Sequence, residues 1–220
     1  MPPYDFIIYN NLKIYFRVND LECYPPREDS FLLNSHIRKF VVNKKVLDMG
    51  CGTGIQGLEA YKYTKDVSFV DILPECIKLS KINFYINFID KNANLDILYG
   101  KINEMNFPVK FYLSDLFSNI NEKFDVILFN PPYLPEIEHE EFRIRRWVSG
   151  GKYGYETIDR FLYEAVNYLN PFGDILLVLS SVTNPERIIN KYSNIYYFRI
   201  VDKVHIFFED LILLHLKRRF

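Results

Sequence analysis

Asn130, Pro131, Pro132 and Tyr133 close an apolar run over 124–129, and their chemistry suits the capture of a planar –NH2 group. Phe-Asp-Val-Ile-Leu-Phe reads as a strand buried on both faces, and two prolines then prevent further ladder pairing. Pro131 pushes Asn130 toward an extended backbone. Neither proline has an N–H to donate, so the carbonyls here face whatever lies beyond the strand end. Asn130 adds a side-chain carbonyl and Tyr133 a flat ring, which together offer acceptors for two hydrogens and a face to stack on. Asn-Pro-Pro is also ordinary turn chemistry, so a site here requires partners elsewhere in the chain.

Such partners recur at the ends of other apolar runs. Residues 45–48 read as a buried strand ending in Asp48, followed by Met49, Gly50, Cys51, Gly52, Thr53 and Gly54 and then a helix over 55–62. Glycines in such a loop remove side-chain bulk and let backbone N–H groups approach a ligand, commonly a phosphate. The spacing G-x-G-x-G is not the dinucleotide pattern G-x-G-x-x-G, and no Lys-Ser/Thr follows as in a P-loop. The strand over Val67–Asp71 ends in a carboxylate about 20 residues past the loop, where an acid can take both hydroxyls of a ribose. A strand over 109–115 ends at Asp115, an acceptor for the amino group of a base, although each acid also fits an ordinary turn. Tyr24-Pro-Pro-Arg-Glu-Asp-Ser30 is a stiff polar bend before helical spacing at 31–37. It gathers Arg27, Glu28, Asp29 and Ser30 at a helix N-terminus, with simple capping as the alternative. After the proline corner, Glu136, Glu138, Glu140 and Glu141 precede Arg143, Arg145 and Arg146, either an internally paired solvated segment or a loop facing a substrate.

The elements that must position these groups follow from periodicity. Two short strands over 6–9 and 12–16 meet at Asn10-Asn11, where Asn tolerates the positive φ of a tight hairpin. A helix is expected from Pro74 to about Asn87. Residues 88–108 are ambiguous, with a short strand over 95–99 as one reading. A helix over 157–169, a strand over 174–180, a helix over 185–192 and a closing antiparallel pair over 196–201 and 210–216 complete the chain, and His205 and His215 on that pair are expected to be packed rather than catalytic.

With 220 residues and 49% hydrophobic content the chain can bury one good core. A net charge of −1 exerts no global pull toward nucleic acid or an anionic membrane. Cys23, Cys51 and Cys76 are far apart, with no C-x-x-C pair, so free thiols, no metal site and a cytoplasmic location are expected. No basic-then-apolar leader begins the chain, and no segment has the apolar length of a membrane span.

Strands alternating with helices imply a parallel sheet whose ligands sit beyond the strand carboxyl ends, where all four polar sites would lie. With these motifs the chain resembles the class I S-adenosylmethionine-dependent methyltransferases. More narrowly, it resembles the HemK-like group that methylates the glutamine side-chain nitrogen in the Gly-Gly-Gln motif of a class 1 peptide chain release factor. The resemblance runs from about Tyr24 onward. It implies a single Rossmann-like α/β domain over 24–220, with a mostly parallel seven-stranded sheet and an antiparallel last strand, after an N-terminal β-hairpin extension over 1–23.

By the same likeness, Pro26, Glu28 and Ser30 would hold the methionine end of S-adenosyl-L-methionine, and Asp48, Gly50, Cys51, Gly52 and Gly54 would surround it. Asp71 and Ile72 would take the ribose and Asp115 and Leu116 the adenine. Asn130, Pro131, Pro132 and Tyr133 would hold the glutamine amide, with Asn130 also bordering the cofactor. The segment 147–162, with its Gly150-Gly151, looks like the Gly-Gly and helix that follow this corner in the group. The helical N-terminal domain of the bacterial branch is missing, as in the short archaeal and eukaryotic enzymes, which often need a small zinc-binding activator protein. The alternative is an RNA or DNA N-methyltransferase acting on adenine N6 or guanine N2. Arg143, Arg145 and Arg146 favour it; the balanced charge and the Gly-Gly segment do not. A third reading is an inactive cofactor-binding scaffold.

Overall fold

Apolar residues run almost unbroken along the central strands because both faces of the sheet are covered, and those runs organise the computed structural model, which describes residues 4–136 and 142–219. Along β4 (Val46–Met49), β5 (Val67–Asp71), β6 (Lys110–Leu113), β7 (Phe124–Phe129) and β8 (Leu169–Ser180), neighbouring strands run parallel. Ile127 and Phe129 of β7 join a core with Ile158, Phe161 and Leu162 of α6 (Glu156–Ala165) and Ile188 of α7 (Pro185–Tyr192). Val126 and Leu128 face the other way, toward Leu33 and Ile37 of α1 (Glu28–Val41) and Leu58 of α2 (Ile55–Tyr61). Each such side chain taken from water stabilises the fold by about 1.5–3 kcal/mol.

The full sheet has the order β6-β5-β4-β7-β8-β10-β9, where β9 is Tyr196–Ile206 and β10 is Glu209–Arg218. β10 pairs antiparallel with both β8 and β9, so the last strand in sequence is the one that runs against the rest. The chain leaves β4 toward β5 and β6, then crosses back to β7 on the other side. That reversal opens a crevice beyond the carboxyl ends of β4 and β7, the usual place for a ligand in such sheets.

An N-terminal sheet of β1 (Tyr4–Tyr9), β2 (Leu12–Val18) and β3 (Leu21–Glu22) packs on α3 (Pro74–Phe88). The two-stranded hairpin read from sequence therefore gains a third short strand. Asn83 and Asn87 of α3 extend the β2 ladder with their side chains. The Lys13 and Tyr15 N–H groups donate to Asn87 Oδ1 and Asn83 Oδ1, each at 2.9 Å, and the two Nδ2 groups return 2.8 Å bonds to the Lys13 and Tyr15 carbonyls. The match is geometric: four helical residues rise about 6 Å and two strand residues about 6.6 Å.

Four expectations are corrected. Residues 95–99 are not a strand but part of α4 (Leu95–Lys101), because Asn94 Oδ1 caps the N–H groups of Asp96 and Ile97. The expected helix over 157–169 ends at Ala165, and β8 begins at Leu169, earlier than 174. Cys23 and Cys76 are joined in a disulfide between the end of the N-terminal sheet and the first turn of α3, leaving Cys51 as a buried free thiol. Fifty-three residues separate that pair, so only the packing of the N-terminal sheet on α3 brings them together. His215 lies 2.6 Å from an Asp174 carboxylate oxygen, and His205 is exposed beside Asp210, not packed. No helix among the described residues is long and apolar enough to cross a membrane.

Candidate active site

The crevice, of about 330 Å³, is lined from all four strand ends, from the first turn of α1 and from α5 (Phe142–Val148). At its centre, Gly52 adopts a φ of 53°, and a Cβ added there would meet nothing within 4 Å. The loop therefore presents bare backbone to open space, which a side chain would fill. Asp71, 7% exposed, accepts from the Gly52 N–H at 2.8 Å and the Leu73 N–H at 2.9 Å, which leaves each oxygen with spare lone-pair capacity. Burial raises its carboxyl to about 6 against the pull of those two N–H donors. It is ionised at neutral pH and able to accept from a pair of hydroxyls. The exposed Ile72 also lines the crevice.

Asp115 lies past the end of β6, on a turn in which Leu116 takes a φ of 46°. A leucine in that region is strained and persists only where its surroundings dictate it. Ser114 Oγ supplies the restraint, donating to the Leu116 carbonyl at 2.9 Å and accepting from the Asn119 N–H. The Asp115 carboxylate accepts from Arg160 Nη2 at 2.8 Å. Arg146, on α5, donates to Glu75 at 2.7 Å from across the crevice mouth. The run of cations after the proline corner thus sends a member onto the crevice. The Arg143 side chain and Glu138, Glu140 and Glu141 lie outside the described residues.

At the other end, Asp29 forms the hub. This carboxylate, 4% exposed, accepts from Ser30 N at 2.6 Å, Ser30 Oγ at 3.2 Å, Tyr24 OH at 3.1 Å and Tyr133 OH at 3.2 Å. Burial first, and the Asp29 charge second, push the Tyr133 phenol well above its ordinary value, so it remains a donor and is no base. Asn130 Nδ2 donates to Ser30 Oγ at 3.4 Å, while Asn130 Oδ1 is buried without a partner among the described residues. An acceptor held dry and unsatisfied costs about 1–3 kcal/mol, and a donor arriving there relieves that cost.

The structure gathers Pro26, Ser30, Gly50, Cys51, Gly52, Asp71, Ile72, Asp115, Leu116 and Asn130 through Tyr133 around the crevice. It does not bring Glu28 or Asp48 there. Glu28 is exposed on the outer side of α1, because the helical turn that faces Tyr133 inward is occupied by Asp29. Asp48 lies beneath the loop, accepting from the Gly57 N–H at 2.8 Å, and Gly54 packs on Ser80 and Phe69. Burial also pushes the Cys51 thiol up, which makes it no nucleophile. Asp29 was legible as a helix-start residue. Gln56, which carried no motif, also lines the crevice, as do Trp147 and Arg160 from the segment 147–162, neither of which was singled out as a site residue.

Asp48 provides a pH test of this support. Burial raises its carboxyl to about 8, so the folded protein holds that proton more tightly than the unfolded chain, whose Asp titrates near 4. The stabilisation is present in acid and is lost as pH rises from about 4 to about 8. Asp48→Asn keeps an acceptor for Gly57 but cannot ionise. In urea unfolding its stability relative to wild type should increase by a few kcal/mol between about pH 5 and pH 9. A gap that shrinks with pH would contradict the assignment.

The residues around the crevice fit an adenosyl sulfonium donor: bare loop backbone, a ribose-competent carboxylate, an acidic turn for a base and a polar methionine end. Comparison with known proteins agrees. A family model, "Methyltransferase small domain", matches residues 28–205. A Methanocaldococcus jannaschii protein named "Putative protein N5-glutamine methyltransferase" is 38% identical over 88% of this chain and 91% of its own length. The ribosomal RNA small subunit methyltransferase C of Buchnera aphidicola is 27% identical over 71% of this chain, which spans just 37% of that protein. Among solved structures, the E. cuniculi Mtq2–Trm112 complex, described as responsible for methylation of the eRF1 translation termination factor, aligns with a TM-score of 0.62 and 23% identity. That alignment covers 90% of this chain and 99% of the other.

Proposed function

Because the chain belongs to the methyltransferase small domain family and takes S-adenosyl-L-methionine as its methyl donor, we propose that it methylates the side-chain amide nitrogen of a glutamine, in the Gly-Gly-Gln motif of a class 1 release factor. The observation that carries the reading is the unpartnered Asn130 Oδ1 at the proline corner, beside a tyrosine held in place by a buried carboxylate.

An amide nitrogen is a poor nucleophile because its lone pair is delocalised into the carbonyl. Asn130 Oδ1 and the Pro131 carbonyl accept its two hydrogens, drawing electron density onto nitrogen and fixing the direction of its lone pair. Tyr133, anchored to Asp29, offers a face for the amide plane. When bound, the donor supplies an electrophilic methyl on a positively charged sulfur. The methyl would pass from sulfur to the nitrogen lone pair that Asn130 and Pro131 aim, leaving S-adenosylhomocysteine as the other product, and the surplus proton on nitrogen would be lost to solvent. No strong base is required. Orientation of this kind is worth roughly 7–11 kcal/mol in favourable cases.

The same corner fits the exocyclic amine of a nucleobase, and an RNA methyltransferase is among the relatives. The cations at the crevice favour the protein substrate: Arg146 is paired with Glu75 and Arg160 with Asp115, which leaves both poorly placed to neutralise phosphates. A small activator subunit belongs to this reading, supported by the two-chain structural neighbour.

The test combines the protein, a small activator from the same source and labelled S-adenosylmethionine. A release factor carrying Gly-Gly-Gln, the same factor carrying Gly-Gly-Ala, and total RNA are offered as acceptors. Label confined to the Gln form is expected. Label on RNA, or on both forms of the factor, would overturn the assignment.

A further inference from the structure

Gln56 is 4% exposed, lines the crevice and holds a buried Nε2 without a partner among the described residues. A buried unsatisfied amide destabilises the protein that carries it, so its retention against the crevice wall calls for a ligand that supplies an acceptor. Its place identifies which part of the donor arrives there. The preceding residue, Ile55, accepts at 3.4 Å from Asn34 of α1, the helix whose first turn carries Asp29 and Ser30. Gln56 therefore stands on the α1 side, away from the ribose and base positions on β5 and β6.

The methionine end of the donor brings an ammonium and a carboxylate. Asp29 is already a negative centre there and opposes a second carboxylate unless a donor is close by. The two guanidinium groups that line the crevice among the described residues are committed to Glu75 and Asp115. We propose that the Gln56 side-chain amide receives the α-carboxylate of the donor's methionine portion through Nε2–H, and so distinguishes the intact amino acid from analogues without that group. A half-turn of the terminal amide exchanges its nitrogen and oxygen at little steric cost, so the –NH2 can face the ligand whichever way it rests. The inference rests on the cofactor and not on which macromolecule is methylated, so a failure of the glutamine assignment leaves it intact.

The test is calorimetric, with the full chain and two probes: S-adenosylhomocysteine and the amine that lacks only its α-carboxylate. Gln56→Leu should weaken the first roughly ten- to a hundredfold, the range for a hydrogen bond to a charged group, and the second less than about twofold. Removing the orphan amide should also leave the melting temperature of the ligand-free protein unchanged or raised. Gln56→Glu, which sets like charges together, should weaken S-adenosylhomocysteine further while tightening the cationic amine. Asn34→Leu serves as the control, since Asn34 Oδ1 is also buried and unpartnered among the described residues but does not line the crevice; it should not separate the two probes. Equal weakening of both probes by Gln56→Leu, or no weakening of either, would overturn the proposal.

Discussion

Asn130→Ala should lower the rate constant for methyl transfer by about a thousandfold or more while changing the affinity for S-adenosylhomocysteine by less than about threefold. The expected split follows from geometry. Asn130 contributes the unpartnered acceptor at the crevice rim, but its bond to the methionine-end residues is a single 3.4 Å contact to Ser30 Oγ. In the proposed reading the loop around Gly52 and Asp71 would instead grip the donor. Loss of the side-chain carbonyl leaves the substrate amide with one acceptor, free to rotate and to keep its lone pair conjugated. Single-turnover kinetics together with calorimetry would separate the two effects. Turnover near the wild-type rate would remove the role assigned to Asn130, and a parallel collapse of cofactor affinity would make it a binding residue instead.

Gly150→Ala should be nearly as damaging, although Gly150 need touch neither cofactor nor substrate. A Cβ at Gly150 would lie 2.2 Å from the Gly154 carbonyl oxygen and 2.7 Å from that of Pro132, both backbone atoms with no side-chain freedom to yield. The Gly150 N–H donates to the Leu134 carbonyl at 2.9 Å, so the turn and the proline corner are built as one piece. Relief of the clash requires a shift of roughly an ångström at the corner, and a misplacement of that size can cost about a hundredfold in rate. Cofactor affinity should again stay within about threefold, because the loop around Gly52 belongs to a different strand end. Gly100→Ala is the matched control: it lies inside α4 with nothing within 4 Å of the added methyl, and should stabilise the fold by about 0.5–1 kcal/mol. A Gly150→Ala enzyme with full activity would show that the Gly-Gly turn does not set the position of Asn130.

The second prediction turns on how close the glycine turn comes to the corner, a contact the sequence signals only as a Gly-Gly pair at the right distance along the chain. The same contrast separates the two carboxylates at the start of α1. Pro26, Glu28 and Ser30 were the sequence's candidates there, yet Asp29 holds Tyr133 across a separation of 104 residues, and Glu28 points outward. A helix places successive residues about 100° apart, so adjacent acids cannot both face inward, and which one does depends on the rotation of α1 against its neighbours.

What the sequence by itself determined are the features written into short stretches of backbone. Two prolines stop β7, glycines clear a loop after β4, a carboxylate ends β5, and unbroken apolar runs bury the strands at the centre of the sheet; each of these acts within a few residues of itself. Together they place a ligand crevice at the strand ends before any contact is known. The tertiary structure alone decided the pairings between distant segments: Asp29 with Tyr133, Arg160 with Asp115, Asn83 with β2, the Cys23–Cys76 link, and the unpartnered Gln56 at the crevice wall. The physical reason is that local dihedral preferences set where a strand or helix stops, whereas the partner of a buried polar group depends on helix rotation and packing distance, which arise only when the whole core closes.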